Sequence, residues 1–169
     1  RASEIVKELN GFGQNSIRKN YVECNIQKLI ENTLVVLNPQ IKEKEIVIVK
    51  NFPDDPLLTK AHEGSIIQVL CNLLQNAVLA VEQFGTIEIS ASLKENKLWI
   101  QVSDNGSGMD AKTLKHAFDP FFTTRPPGEG SGLGLYISYK LAQAHKGSIE
   151  IISETDKGTT SVLKLPISV

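Results

Sequence analysis

Cysteine is scarce in this chain of 169 residues: Cys24 and Cys71 are the only two. They have no metal-ligand spacing with each other or with His62, His116 and His145, so no Cys/His metal motif is present. Cys71 lies in an apolar, helix-patterned stretch where a small buried thiol is common. This usage points to a reducing, cytoplasmic setting. Net charge is scarce too. Eighteen Lys and Arg stand against 19 Asp and Glu, a balance of −1 with no basic run. Nucleic-acid binding therefore gets no electrostatic support. Also lacking are an apolar run long enough to span a membrane and a signal peptide. The chain opens at Arg1 in what reads as mid-helix, as expected for a piece of a longer protein whose remainder could be membrane-anchored. What remains, 41% hydrophobic and 22% charged, is the composition of one soluble globular domain with a sizeable core.

The stretch Gln68 to Ala77 organises the rest. Ile66, Leu70, Leu73, Ala77 and Phe84 recur at helical spacing, and Asn72 and Asn76, four residues apart, lie one above the other beside that face. Burying two amides without partners would cost about 1–3 kcal/mol each. They need something polar to hold, either neighbouring backbone or a ligand.

Upstream, Ala2 to Gln14 carries Ile5, Val6, Leu9 and Phe12 at helical spacing. A single helix of that length is marginal alone. Tyr21 to Cys24 reads as extended, and Asn25 as the cap of a helix to about Leu37 with Ile26, Leu29, Ile30, Thr33 and Leu34 inward. Asn38-Pro39 is expected to stop it. Ile46 to Val49 is a β-branched strand ended by the turn Phe52 to Pro56. Ser65 and Gln68 have capping-box spacing for the organising helix, and Phe84-Gly85 is expected to close it. Alternating runs Thr86 to Leu93 and Lys97 to Asp104 form a hairpin that sends Leu98, Ile100, Val102 and Asp104 to one face. A short helical piece near Ala111 to Ala117 interrupts a Gly- and Pro-rich loop reaching Gly130, long enough to be a lid. Ser131 opens a further helix, with Leu133, Ile137, Leu141 and Ala144 on one side, a small-residue row Gly134, Ser138 and Ala142, and Gly147 at its end. Ser148 to Ser153 and Thr159 to Pro166 make the last pair of strands. There is no internal repeat. The expected fold class is α+β: a two-layer sandwich of a mixed, mostly antiparallel sheet of about five strands, covered on one face by about three helices.

Four features follow one another: the paired amides, Asp104 to Gly108, Phe118 to Thr124, and Gly130 to Leu135. Singly, each has a plain alternative as a turn, a plug under a loop or a tight connection. The last run lacks the Lys of a P-loop, and Gly-x-Gly-x-Gly without a preceding strand is no dinucleotide fingerprint. Backbone amides freed of side chains at a helix start still suit an anionic phosphate.

In this order, the four features resemble the nucleotide-binding catalytic domain of sensor histidine kinases, in the wider group of DNA gyrase B, Hsp90 and MutL. Asn72 to Ala77 is similar to that family's N box, Asp104 to Gly108 and Gly130 to Leu135 to its two glycine boxes, and Phe118 to Phe121 to its F box. Gly158-Thr159-Thr160 and Leu165-Pro166 are similar to its closing pattern. The resemblance runs from about Cys24 to Val169 and implies a Bergerat-type ATP-binding fold, with residues 21–169 as the catalytic domain. Residues 1–20 would be the end of a dimerisation helix and its linker.

The resemblance also implies the cofactors, ATP and Mg²⁺, and the roles of residues. Asn76 would ligate the metal, with Asn72 beside the metal–phosphate region. Asp104 would accept the exocyclic amine of adenine, flanked by Ala80, Gly106, Gly108, Met109 and Thr159. Gly130, Ser131, Gly132, Leu133, Gly134 and Leu135 would form the phosphate cradle. Phe118, Thr123, Thr124 and Arg125 would act from the lid, and Asn72, Asn76 and Arg125 would carry the transfer.

Two departures stand out. Leu79 occupies a position where many family members carry a cation aimed at phosphate, which leaves Arg125 or lid backbone to compensate. The phosphoacceptor histidine box is absent, and none of the three histidines has a matching context. The implied partners are therefore a dimerisation domain carrying the histidine and a response-regulator receiver domain, with a homodimeric parent and a monomeric isolated piece. The competing functions are a hydrolytic ATPase of the gyrase–Hsp90–MutL type, which has Glu where Asn72 stands, a nucleotide-gated interaction module and a serine kinase of the anti-sigma type.

Overall fold

A computed structural model describes residues 20–126 and 128–167. The expected helix from Ala2 to Gln14, and nearly all of the proposed linker, lie outside the described residues. In chain order the elements are β1 (Val22–Asn25), α1 (Ile26–Glu43), β2 (Val47–Asn51), β3 (Leu58–Ala61), α2 (Glu63–Ala80), β4 (Thr86–Lys94), β5 (Lys97–Asp104), α3 (Ala111–His116), α4 (Gly134–Ala144), β6 (Ser148–Glu154) and β7 (Gly158–Pro166). Five strands form one mixed sheet in the order β2-β4-β5-β7-β6. Its β2–β4 pairing is parallel and the others antiparallel. The expected α+β sandwich is therefore present, with α1, α2 and α4 as its long helices. A separate ribbon pairs β1 with β3, a strand the sequence reading did not anticipate.

The core follows from alternation and helical periodicity. Ile87, Ile89, Ala91, Leu98, Ile100 and Val102 point from the β4–β5 hairpin into the same cluster as Leu70, Leu73 and Leu74 of α2. The hairpin turns through Glu95 and Asn96, both with positive φ (50° and 59°), the backbone twist that a two-residue hairpin needs.

Helix boundaries depart from expectation in four places. α1 runs through Pro39 to Glu43 rather than stopping at Leu37. Pro39 removes the hydrogen bond to the Val35 carbonyl, but Val35 is 71% exposed, so water can serve that oxygen. Buried Ile41 anchors the next turn. Asn25 caps α1 as expected, its Oδ1 accepting from Lys28 N at 3.1 Å. α2 begins at Glu63, before the expected box: His62 caps it, with Nδ1 accepting from Ser65 N at 3.2 Å, and Ser65 lies inside the first turn.

α2 ends at Ala80 and does not continue to Phe84, which is 65% exposed. The cause is Lys44, whose ammonium donates to the carbonyls of Val78 (2.9 Å) and Val81 (2.8 Å) while its own carbonyl accepts from Phe84 N. α4 begins at Gly134, three residues after Ser131, and of its expected apolar side only Ala144 is fully buried. The small row wins because it faces α2, with Ser138 and Ala142 buried almost completely. Among the described residues, no helix is long and apolar enough to cross a membrane.

Replacing Lys44 with Met keeps the stem and removes a charged donor shared by two carbonyls. It should lower unfolding stability by about 1–3 kcal/mol, read by urea denaturation. A loss within a few tenths of a kcal/mol would mean that packing alone ends α2.

Candidate functional site

A cavity of about 730 Å³ opens between α2, the ends of β5, β6 and β7, and the loop that precedes α4. It gathers residues from all four sequence features. Asn72, Asn76 and Ala80 come from α2, Asp104 from the end of β5, and Gly108 and Met109 from the following loop. Thr123, Thr124, Arg125, Gly130, Ser131 and Gly132 come from the lid, Gly134 and Leu135 from α4, and Thr159 from β7. Three expected residues do not line it. Gly106 packs its backbone against Ala80, leaving no room for a Cβ. Phe118 packs against Tyr139 in a tilted arrangement, with ring centroids 5.7 Å apart. Leu133 is the residue that precedes the first turn of α4. These three shape the site from behind.

Asp104 sits where strand register puts it, opposite Thr159. Its Oδ1 accepts from Gly106 N at 2.9 Å and from Thr159 N at 3.3 Å. Burial pushes its carboxyl above the ordinary value, and the two backbone amides pull against that shift. Its other oxygen has no hydrogen bond to the described residues, although the cavity reaches the side chain. The same wall includes Val102, Ser161 and Ile151, which the sequence reading did not select. Alternation would have found them: Val102 is two residues from Asp104 and Ser161 two from Thr159, and Ile151, Ser161 and Val102 pair across the sheet.

The two amides of α2 have different partners. Asn72 Nδ2 donates to Gly134 O at 3.0 Å and to Ser138 Oγ at 3.1 Å, so both its protons are engaged and its oxygen is left free. Asn76 Oδ1 accepts from Arg125 Nη2 at 3.2 Å. Arg125, expected at phosphate, thus rests on the amide oxygen expected at metal. Leu79 lies at the cavity edge, 42% exposed. Gly132 has φ +65°, and a Cβ there would run into the backbone of Phe121, whose N–H donates to Gly132 O at 2.9 Å. That contact folds the lid back on itself and needs glycine.

None of the three histidines lines the cavity. His62 caps α2, His145 is buried and accepts from His62 N at 3.2 Å, and His116 meets Asp119 at 2.6 Å. Among the described residues, no group of three or more His, Cys, Asp or Glu is placed to hold a metal. A cation here would rely on amide oxygens.

The Asp104 environment has a consequence for stability. A carboxyl whose folded-state pKa is raised favours the folded state while protonated, and that contribution is lost as pH rises through the folded value. Asp104→Asn never ionises and can still accept both amides. Its unfolding stability should match the wild type near pH 4 and exceed it at pH 7, measured by urea denaturation at each pH. A constant difference between the two would mean that Asp104 ionisation carries no folding penalty.

The model of the histidine kinase-, DNA gyrase B- and HSP90-like ATPase family matches residues 61–169. The sensor histidine kinase ZraS of Escherichia coli is 33% identical over 145 residues, which cover 86% of this chain and 31% of ZraS. The chain thus spans about a third of that curated relative. Among solved structures, the catalytic domain of histidine kinase ThkA superposes with a TM-score of 0.79 at 29% identity, covering 87% of this chain and 95% of that one. ThkA in complex with the response regulator protein TrrA gives 0.75 at 28% identity, covering 88% of this chain and 42% of that one. The chain belongs to the histidine kinase-, DNA gyrase B- and HSP90-like ATPase family, and within it has the fold of a histidine kinase ATP-binding catalytic domain.

Proposed function

We propose that this chain is the ATP-binding catalytic part of a sensor histidine kinase and delivers the γ-phosphoryl group of ATP to a histidine on a separate helical dimerisation domain. One observation carries the choice of transfer over hydrolysis. Hydrolases of the wider family have Glu where Asn72 stands, and here the Asn72 amide gives both protons to Gly134 and Ser138. An amide so held can neither take a proton from water nor turn to do so.

The roles follow from the donors and acceptors on each wall. The free oxygen of Asp104 accepts the adenine 6-amine, and a guanine carbonyl there would set acceptor against acceptor. Gly130, Gly132 and Gly134, with no side chains in the way, offer backbone to the phosphates, and Thr123 and Thr124 add hydroxyls. Asn76 Oδ1, with the free Asn72 amide oxygen one helical turn earlier, fits Mg²⁺ as a hard oxygen ligand, and the remaining positions fall to phosphate and water, as is usual for this ion. Bound there, Mg²⁺ would neutralise phosphate charge. Arg125 must first give up Asn76, which frees its guanidinium to face phosphate where Leu79 provides no cation.

The partners are also proposed: the dimerisation domain of a homodimeric cytoplasmic parent, joined through residues 1–20, and a response-regulator receiver domain, the kind of partner seen on ThkA.

Mixing the chain with a helical hairpin that carries the missing histidine and with labelled ATP should give acid-labile phosphohistidine. Steady phosphate release with no phosphohistidine would overturn the reading. In the same assay Arg125→Ala should slow transfer about 10²-fold, the scale for losing one charge-stabilising donor. An unchanged rate would remove the guanidinium from the phosphate role.

A further inference from the structure

Ser153 of β6 does not line the cavity, and no role has been given to it so far. Its Oγ nevertheless joins three groups of the base-binding wall. It accepts from Met109 N at 2.8 Å, donates to Gly158 O at 3.0 Å and lies 2.8 Å from Thr159 Oγ1. A serine hydroxyl has one proton and two lone pairs. An amide N–H can only donate and a carbonyl can only accept, so the first two bonds fix the third: the serine proton goes to Gly158 O, and the remaining lone pair must take the proton of Thr159. Thr159 Oγ1 is thereby left with lone pairs alone to show the cavity. Across the β5–β7 register from Thr159 is Asp104, which holds Thr159 N with one carboxyl oxygen and keeps the other free.

We infer that Ser153 is a positioning residue for base specificity: by holding the Thr159 proton, it makes the wall formed by Asp104 and Thr159 accept hydrogen bonds only. The inference rests on the adenine-nucleotide reading above and extends it. Such a wall favours a purine with an amine at ring position 6, which offers two protons, and disfavours one with a carbonyl there. Asp104 alone would leave the threonine hydroxyl free to rotate and donate to that carbonyl. Ser153 removes the option. It does so from behind the site, through Thr159, its partner across the β6–β7 pairing.

The test is calorimetric titration of the domain with ADP and with IDP, which differ at the position-6 edge. The wild type should prefer ADP. Ser153→Ala frees the Thr159 proton and should shrink the ADP-to-IDP affinity ratio about tenfold, the scale of one hydrogen bond. Ser153→Thr, which keeps the hydroxyl, should retain the wild-type ratio. In a Thr159→Val background, Ser153→Ala should no longer change the ratio, because its effect passes through Thr159. Should Ser153→Ala not fold, Ser153→Cys carries the same expectation, since a thiol is too weak an acceptor to keep the proton. A purely structural serine would lower both affinities together. An unchanged ratio in a wild-type background therefore overturns the inference while leaving the nucleotide reading intact. Equal binding of ADP and IDP by the wild type also overturns it, and binding of neither would overturn both.

Discussion

Asp104 ends β5 as a half-buried carboxylate, and two main-chain amides, from Gly106 and Thr159, hold one of its oxygens. A carboxylate taken out of water is costly unless hydrogen bonds replace the lost solvation. Much of the nearby backbone serves that end. Thr159 N reaches Asp104 because β7 pairs with β5 in this register and no other. Gly106 N reaches it because the chain turns sharply beside α2, where Ala80 O accepts from Ser107 N at 3.2 Å. A one-residue slip of β7 would turn Thr159 to the opposite face and take its amide away. The register of the sheet and the shape of this cavity wall are therefore one constraint.

The second half of the site depends on how closely α2 and α4 approach. Gly134, Ser138 and Ala142 form a strip of small residues, and Asn72 spans the gap with two hydrogen bonds. A carboxylate at position 72 would face the Gly134 carbonyl acceptor to acceptor, so the seam as built requires an amide. The packing that joins the helices thus also removes the base that water attack would use. On the proposed function, the side chain that stabilises this seam also decides the reaction type. Arg125 ties the lid to this seam through Asn76, which couples lid position to whatever occupies the amide oxygen.

Much of this was legible in the sequence wherever the signal is local. The hairpin of β4 and β5, the Asn25 cap, the last pair of strands and the small-residue row follow from alternation, capping chemistry and spacing within a few residues. The ordered motifs alone point to most of the cavity lining. What local pattern misses is set from a distance. Pro39 does not end α1, because Val35 faces solvent and Ile41 is buried, and neither fact is local. β3, only Leu58–Ala61, exists because β1 pairs with it. α2 ends where Lys44, from another connection, caps it, and Arg125 rests on an amide 49 residues away. Ser153 carried no motif, and its hydrogen-bond partners come from two other segments, the loop at Met109 and the start of β7.

The most direct measurement is a crystal structure of the domain with Mg²⁺ and a non-hydrolysable ATP analogue. The account predicts the adenine amine on the free oxygen of Asp104, Asn76 Oδ1 in the metal's coordination shell at about 2.1 Å, and Arg125 turned from Asn76 towards phosphate. A nucleotide bound with its base away from Asp104, or with Arg125 still on Asn76, would contradict it.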